Sequence, residues 1–226
     1  MTIDSALLEP TFFLDFEHPT VQRYADDAAG EATDPVEIAQ RLFLKVRDGI
    51  RYNPYSLAVE SEAYKASHIA ESESNWCIPK SVLLTACARY KGIPARLGFA
   101  DVKNHLTSEK LSESMGTDLF AWHGYSELRL HERWIKLSTA FNIGLCEKFG
   151  TRVLEFDGEH DALMHPYDQA GRRHMEYVRQ RGSYNDLPLT EIFDTFLEVY
   201  PNWVKHEDGS FSKQGSGGQN DEAFGQ

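Results

Sequence analysis

Cys77 stands directly before a segment, Ile78 to Lys91, that reads as a helix. A helix N-terminus presents unpaired backbone N–H groups and the positive end of the helix dipole, and both favour a thiolate over a thiol. The thiolate is the reactive form, so a cysteine here is a candidate for covalent attack on a carbonyl. The other two cysteines read differently. Cys87 falls in mid-helix on or near the apolar face, and Cys146 follows Leu145 in a packed segment, so both read as small buried apolar residues. His123 opens a strand in the run Ala121-Trp122-His123-Gly124-Tyr125-Ser126-Glu127-Leu128. Histidine is the side chain best matched to take a proton from a thiol near neutral pH. The two groups need to meet in space, not in sequence.

The elements that must bring them together are legible in outline. Thr11 to Leu14 is β-like and Leu14 to Pro19 rich in turn residues. Asp34 caps and Pro35 opens a helix whose Ile38, Leu42 and Val46 recur every four residues, closed by Gly49. In the Cys77 helix, Pro79 suits the first turn, Val82, Leu83 and Ala86 form an apolar face, and Gly92 gives the stop. A strand is expected over Ile93 to Val102, then a polar loop with a short helix over Lys103 to Thr117. Strands His123–Leu130 and Arg133–Leu137 follow, joined by His131-Glu132. Tyr125, Glu127 and Arg129 alternate with Ser126, Leu128 and Leu130, which predicts an antiparallel ladder with one buried face. Asp168 to Arg181 and Leu189 to Tyr200 are expected to be helical. The Gly-, Ser- and Gln-rich tail from Glu207 is expected to be disordered. This predicts one domain over 1–206 and a flexible polar tail over 207–226.

Trp76-Cys77-Ile78-Pro79-Lys80-Ser81-Val82-Leu83-Leu84, followed by Gly92-Ile93-Pro94-Ala95-Arg96, resembles the cysteine–helix–strand signature of the transglutaminase-like superfamily. His123-Gly124-Tyr125-Ser126-Glu127 and Arg133-Trp134-Ile135-Lys136-Leu137 resemble its histidine strand and partner strand. Val46-Arg47-Asp48-Gly49-Ile50-Arg51-Tyr52 is similar to the segment before them. The resemblance covers about residues 36–142. It implies an α+β, papain-like core: the Cys helix packed on an antiparallel β-sheet that bears the His, with extra C-terminal helices. It also implies a third residue that orients the imidazole. The family's Asp position, in Trp-x-x-x-Asp, is occupied here by Ser138. Ser138 can accept a hydrogen bond but carries no charge to stabilise imidazolium; Asn142 offers an amide oxygen, and Asp157 is a third candidate. The backbone N–H of Cys77 is the expected oxyanion donor.

The implied chemistry is thiol-dependent acyl transfer or amide hydrolysis through a thioester. Water as second reactant gives a peptidase or amidase, and an amine gives a transglutaminase, acting on a peptide or protein amide. The contrasting reading is a binding or scaffold protein that keeps the fold without the activity. A metal-dependent hydrolase is disfavoured, since no His-x-x-x-His or His-Glu-x-x-His pair occurs. Glu155 to Asp161 matches no calcium or zinc pattern and reads as a solvated turn, His105 as a loop residue, and Arg172-Arg173-His174 as an exposed helix face. No cofactor is implied. The 226 residues are 41% hydrophobic and 26% charged with a net charge of -12, an ordinary globular balance that disfavours nucleic acid and anionic membrane as partners. No apolar run reaches the roughly 20 residues of a membrane span. Met1 to Glu9 lacks a basic start, and three widely spaced cysteines form neither a disulfide framework nor a paired zinc pattern, so a reducing cytoplasm is expected.

Overall fold

The computed structural model of the chain describes residues 5–107, 109–205 and 211–213. The first helices are set by their caps. His18 accepts a bond from the Thr20 N–H and Pro19 opens α1 (Pro19–Ala29). Asp34 accepts from the Val36 and Glu37 N–H groups and Pro35 opens α2 (Pro35–Gly49), as the sequence predicts. Two short parallel strands, β1 (Arg51–Tyr52) and β2 (Ser74–Asn75), flank the small helix α3 (Ala66–Ile69). Then come α4 (Cys77–Tyr90), β3 (Ala95–Asn104), α5 (Glu109–Met115), β4 (Leu119–Leu130), β5 (Arg133–Leu137) and α6 (Ile143–Phe149). The described chain ends with β6 (Met175–Tyr184), α7 (Leu189–Val199), β7 (Trp203–Lys205) and β8 (Phe211–Lys213). The main sheet is antiparallel throughout, in the order β5-β4-β3-β6. This is the α+β core with the Cys helix on the His sheet.

Helix α4 lies between that sheet and α1, α2 and α3. Every residue from Cys77 to Arg89 is buried, so the single apolar face expected from Val82, Leu83 and Ala86 is too narrow a description. A helix enclosed all round must satisfy each polar side chain internally. Thr85 donates to Ser126 Oγ (3.0 Å), which donates to the Ser81 carbonyl (2.9 Å). Arg89 donates to the carbonyls of Glu9, Ala95 and Asn185. Lys80 is fully buried, and its ammonium bonds the carbonyls of Arg47 (2.9 Å), Ile50 and Ala140 (3.1 Å). One cation one turn beyond Cys77 thus ties the end of α2 to the segment that follows β5.

Several expectations need correction. Residues 168–181 are not helical: Met175 to Tyr184 form β6, whose Val102↔Tyr177 and Leu97↔Tyr184 pairings with β3 override a local sequence rich in Arg, Glu and Gln. Thr11 to Leu14 forms no strand, and α1 was not foreseen. Phe211 to Lys213 pair with β7, while the rest of the expected tail, 207–210 and 214–226, lies outside the described residues. The predicted one-sided ladder also proves buried on both faces from Ala121 to Leu128.

Glycine decides how closely the two layers meet. A Cβ on Gly124 would lie 3.0 Å from Ile78 Cα and 3.0 Å from Ser81 Oγ, so only glycine lets β4 sit this near the first turn of α4. Gly124→Ala is therefore expected to cost about 1–3 kcal/mol in urea denaturation, the range for forced overpacking. Gly144→Ala, where the nearest atom lies at 3.7 Å, is the control and should be close to neutral. Equal losses at both positions would show that the close approach is not the cause.

Candidate thiol site

The first turn of α4 has no side-chain cap: Trp76 occupies the N-cap position without capping. The N–H groups of Gly124, Ile78 and Cys77 itself face the sulfur instead. The Gly124 peptide is the one that follows His123, so the close approach at Gly124 brings the cysteine and histidine segments together. Cys77 is 7% exposed and His123 6%. Burial pushes the thiol up to about 11, outweighing the downward effect of those N–H groups and of Lys80. Burial alone pushes His123 down to about 4. The helix N-terminus acts in the expected direction and loses to desolvation, and both shifts favour the uncharged form. Cys87 and Cys146 are free, buried and raised by burial as well.

His123 is aimed by an irregularity in the sheet. Between the pairs Ala100↔His123 and Val102↔Phe120 the register slips, so Ala121 and Trp122 together oppose Asp101. Trp122 takes a left-handed backbone (φ 58°), which costs on the order of 1–3 kcal/mol at a non-glycine residue and needs support. Asp101 supplies it by accepting the Trp122 N–H (3.0 Å). Arg181 pairs with Asp101 and lies 4.8 Å from the Trp122 ring centre. Beyond His123, the Tyr177 ring of β6 stands edge-on at 6.2 Å. These residues went unseen because the bulge and the β6 strand are tertiary facts. Trp122 next to His123 carried no signal by itself, and Lys80 signalled only as a cation in an apolar helix.

The expected orienting residues lie elsewhere in their contacts. His123 Nε2 is buried with no hydrogen-bond partner among the described residues, and so are Ser138 Oγ and Thr139 Oγ1. Ser138 lies one residue past β5, at the end of the strand paired with β4, and its backbone N–H donates to the Ala162 carbonyl. Asn142 uses its side-chain oxygen to accept the Tyr52 N–H (3.0 Å), holding β1. Asp157 accepts the N–H groups of Glu159 and His160 in an exposed turn, where those bonds hold its carboxyl far below the ordinary range. The Glu155–Asp161 stretch is thus a solvated turn. Arg172 and Arg173 pair with Asp168 and Glu176 in the approach to β6, not on a helix, and His174 is buried rather than exposed. Among the described residues no group of three or more His, Cys, Asp or Glu side chains could hold a metal ion, and no helix is long and apolar enough to cross a membrane.

His174 repeats the situation of His123. It stacks on Phe141 at 5.9 Å, is 2% exposed, and has no partner on either ring nitrogen. Burial pushes it down to about 4, against the pull of Asp168 and with the repulsion of His165 and His105. A folded-state pKa below the ordinary 6.5 means that the unfolded chain binds the extra proton first. The stability owed to neutral His123 and His174 is present above 6.5 and is lost as pH falls towards 4. His174→Phe should flatten that loss in thermal unfolding between pH 7 and pH 4.5. An unchanged slope would show that His174 is not titrating with unfolding.

The model of the transglutaminase-like superfamily matches residues 22–139, which hold α4, β3, β4 and β5 with Cys77 and His123. No curated protein matches. Among solved structures the chain is similar to a crystal structure described as a "putative cysteine protease" from Cytophaga hutchinsonii. The two share 14% identity and a TM-score of 0.50, over 80% of this chain and 46% of the other, so this chain spans under half of that protein's length and the likeness concerns the fold alone. With more than half of its residues inside the family match, this chain belongs to the transglutaminase-like superfamily.

Proposed function

We propose that this protein is a cysteine-dependent enzyme acting on peptide or protein amides, with Cys77 as nucleophile and His123 as base. The observation that carries this reading is the close approach at Gly124, which seats the Cys77 sulfur beside the peptide that follows His123 at an uncapped helix N-terminus. The Cys77 proton passes to His123 as the sulfur bonds to the amide carbon. The carbonyl oxygen, now an anion, is met by the N–H groups at the start of α4. The C–N bond breaks, His123 returns the proton to the departing amine, and a thioester remains. Water then yields an acid, or a second amine yields a new amide.

The neutral resting pair fits an enzyme whose proton transfer accompanies attack rather than preceding it. An imidazole kept free of charge is still a base, and it meets its proton only when substrate occupies the site. Among the described residues no carboxylate holds His123 Nε2, so the imidazolium formed in the reaction is stabilised less than in a complete triad. That missing partner favours the second reading, a fold kept for binding with catalysis lost.

A peptidyl acyloxymethyl ketone separates the two. Cys77 of the wild-type protein should be alkylated near pH 7, with the sulfur displacing the carboxylate and losing its proton to His123. His123→Ala should slow this by at least about 100-fold, the lower end of general-base contributions. Peptide mass spectrometry after digestion locates the adduct. Labelling that ignores His123, or that falls equally on Cys87, would favour the binding protein.

A further inference from the structure

One cavity adjoins His123 through a single side chain. It has a volume of about 360 Å³ and is lined by Met164, Pro166, Tyr167, Arg173, Met175, Glu176 and Tyr177. That is the lower end of the roughly 300–1,000 Å³ range of ligand sites. Tyr177 is shared: its ring stands edge-on to His123 at 6.2 Å, and its hydroxyl accepts the Met164 N–H at 3.3 Å. The wall opposite is a strap of chain. Ala162 is held to β5 through the Lys136 carbonyl and the Ser138 N–H, and Pro166 accepts the His174 N–H. All the lining residues lie beyond residue 139, so the cavity is built by the part of the chain that the family match leaves out.

We propose that this cavity receives an uncharged apolar side chain of the peptide acyl donor, a specificity assignment that rests on the thiol-enzyme reading above. The lining chemistry selects that occupant. Two methionines, a proline and two tyrosines offer apolar and polarisable surface, and methionine adapts to occupants of different shape. The two charged residues present, Arg173 and Glu176, pair with each other at 3.2 Å, and His105 contacts Glu176 from the other side at 3.1 Å. An occupant carrying either charge would meet charges already paired with each other, whereas an apolar one meets the methionines and tyrosines. Tyr167, 53% exposed, stands as a large apolar surface at the lining.

The test uses dipeptidyl acyloxymethyl ketones in which each of the two positions is in turn Leu, Phe, Gly, Asp or Lys, with the rate of Cys77 labelling as the readout. At one of the two positions Leu or Phe should react at least about tenfold faster than Gly, Asp or Lys, the scale on which apolar pockets discriminate. Tyr167→Asp should erase most of that advantage and Tyr167→Phe should keep it, while labelling by iodoacetamide, which has no side chain to bind, stays unchanged in both variants. Equal rates for all side chains, or a preference indifferent to Tyr167→Asp, would overturn the cavity assignment and leave the thiol enzyme standing. Labelling of Cys77 that no reagent makes dependent on His123 would overturn the thiol-enzyme reading and this assignment with it.

Discussion

The first turn of α4 pressed against β4 at Gly124 is the constraint on which the rest depends. A helix bearing a cysteine at its start is common, and so is a strand histidine. What brings their segments together is a contact with no room for a β-carbon, which sets the sulfur against the peptide that follows the histidine. The closeness is possible because α4 is enclosed on all sides and cannot tilt away, and because its polar side chains each find internal partners. Lys80 is the strongest of these. Its three carbonyl bonds join α2, α4 and the segment after β5, although burial draws its pKa down to about 7.

The same enclosure sets the chemistry. Desolvation raises the thiol and lowers the imidazole, and each shift favours the uncharged form. A helix N-terminus is worth a few tenths to about 2 kcal/mol to an adjacent anion, which is less than full burial of a charge costs without a paired counter-ion. The unpartnered atoms His123 Nε2, Ser138 Oγ and Thr139 Oγ1 belong to the same picture. Ser138, at the position where the family resemblance leads one to expect a carboxylate, has a hydroxyl with no hydrogen-bond partner among the described residues.

Much of the core could be read from the sequence because its signals are local. Asp34-Pro35 caps a helix, Gly92-Ile93-Pro94 ends one and starts a strand, and β5 falls on Arg133–Leu137 as expected. The meeting of the Cys77 and His123 segments was legible only through the family resemblance, since nothing in spacing alone joins residues so far apart. Three features were out of reach for a physical reason. The bulge at Trp122 depends on Asp101 and Arg181 from two other strands. The β6 segment has weak local preference and takes its conformation from pairing with β3. The burial that reverses the expected ionisation of Cys77 comes from the whole surrounding fold, not from its own helix. Asn142 illustrates the converse: its amide suits an orienting role, yet its oxygen is engaged by Tyr52.

Burial favours the uncharged Cys77 thiol, and thiolate absorbance near 240 nm measures its ionisation directly. The difference between wild type and Cys77→Ala, followed across pH, isolates the one sulfur. No difference signal is expected at pH 7, and a rise only above the ordinary thiol value of 9.0, towards about 11. A difference signal already present at pH 6, disappearing in His123→Ala, would reveal a preformed thiolate–imidazolium pair and contradict that expectation.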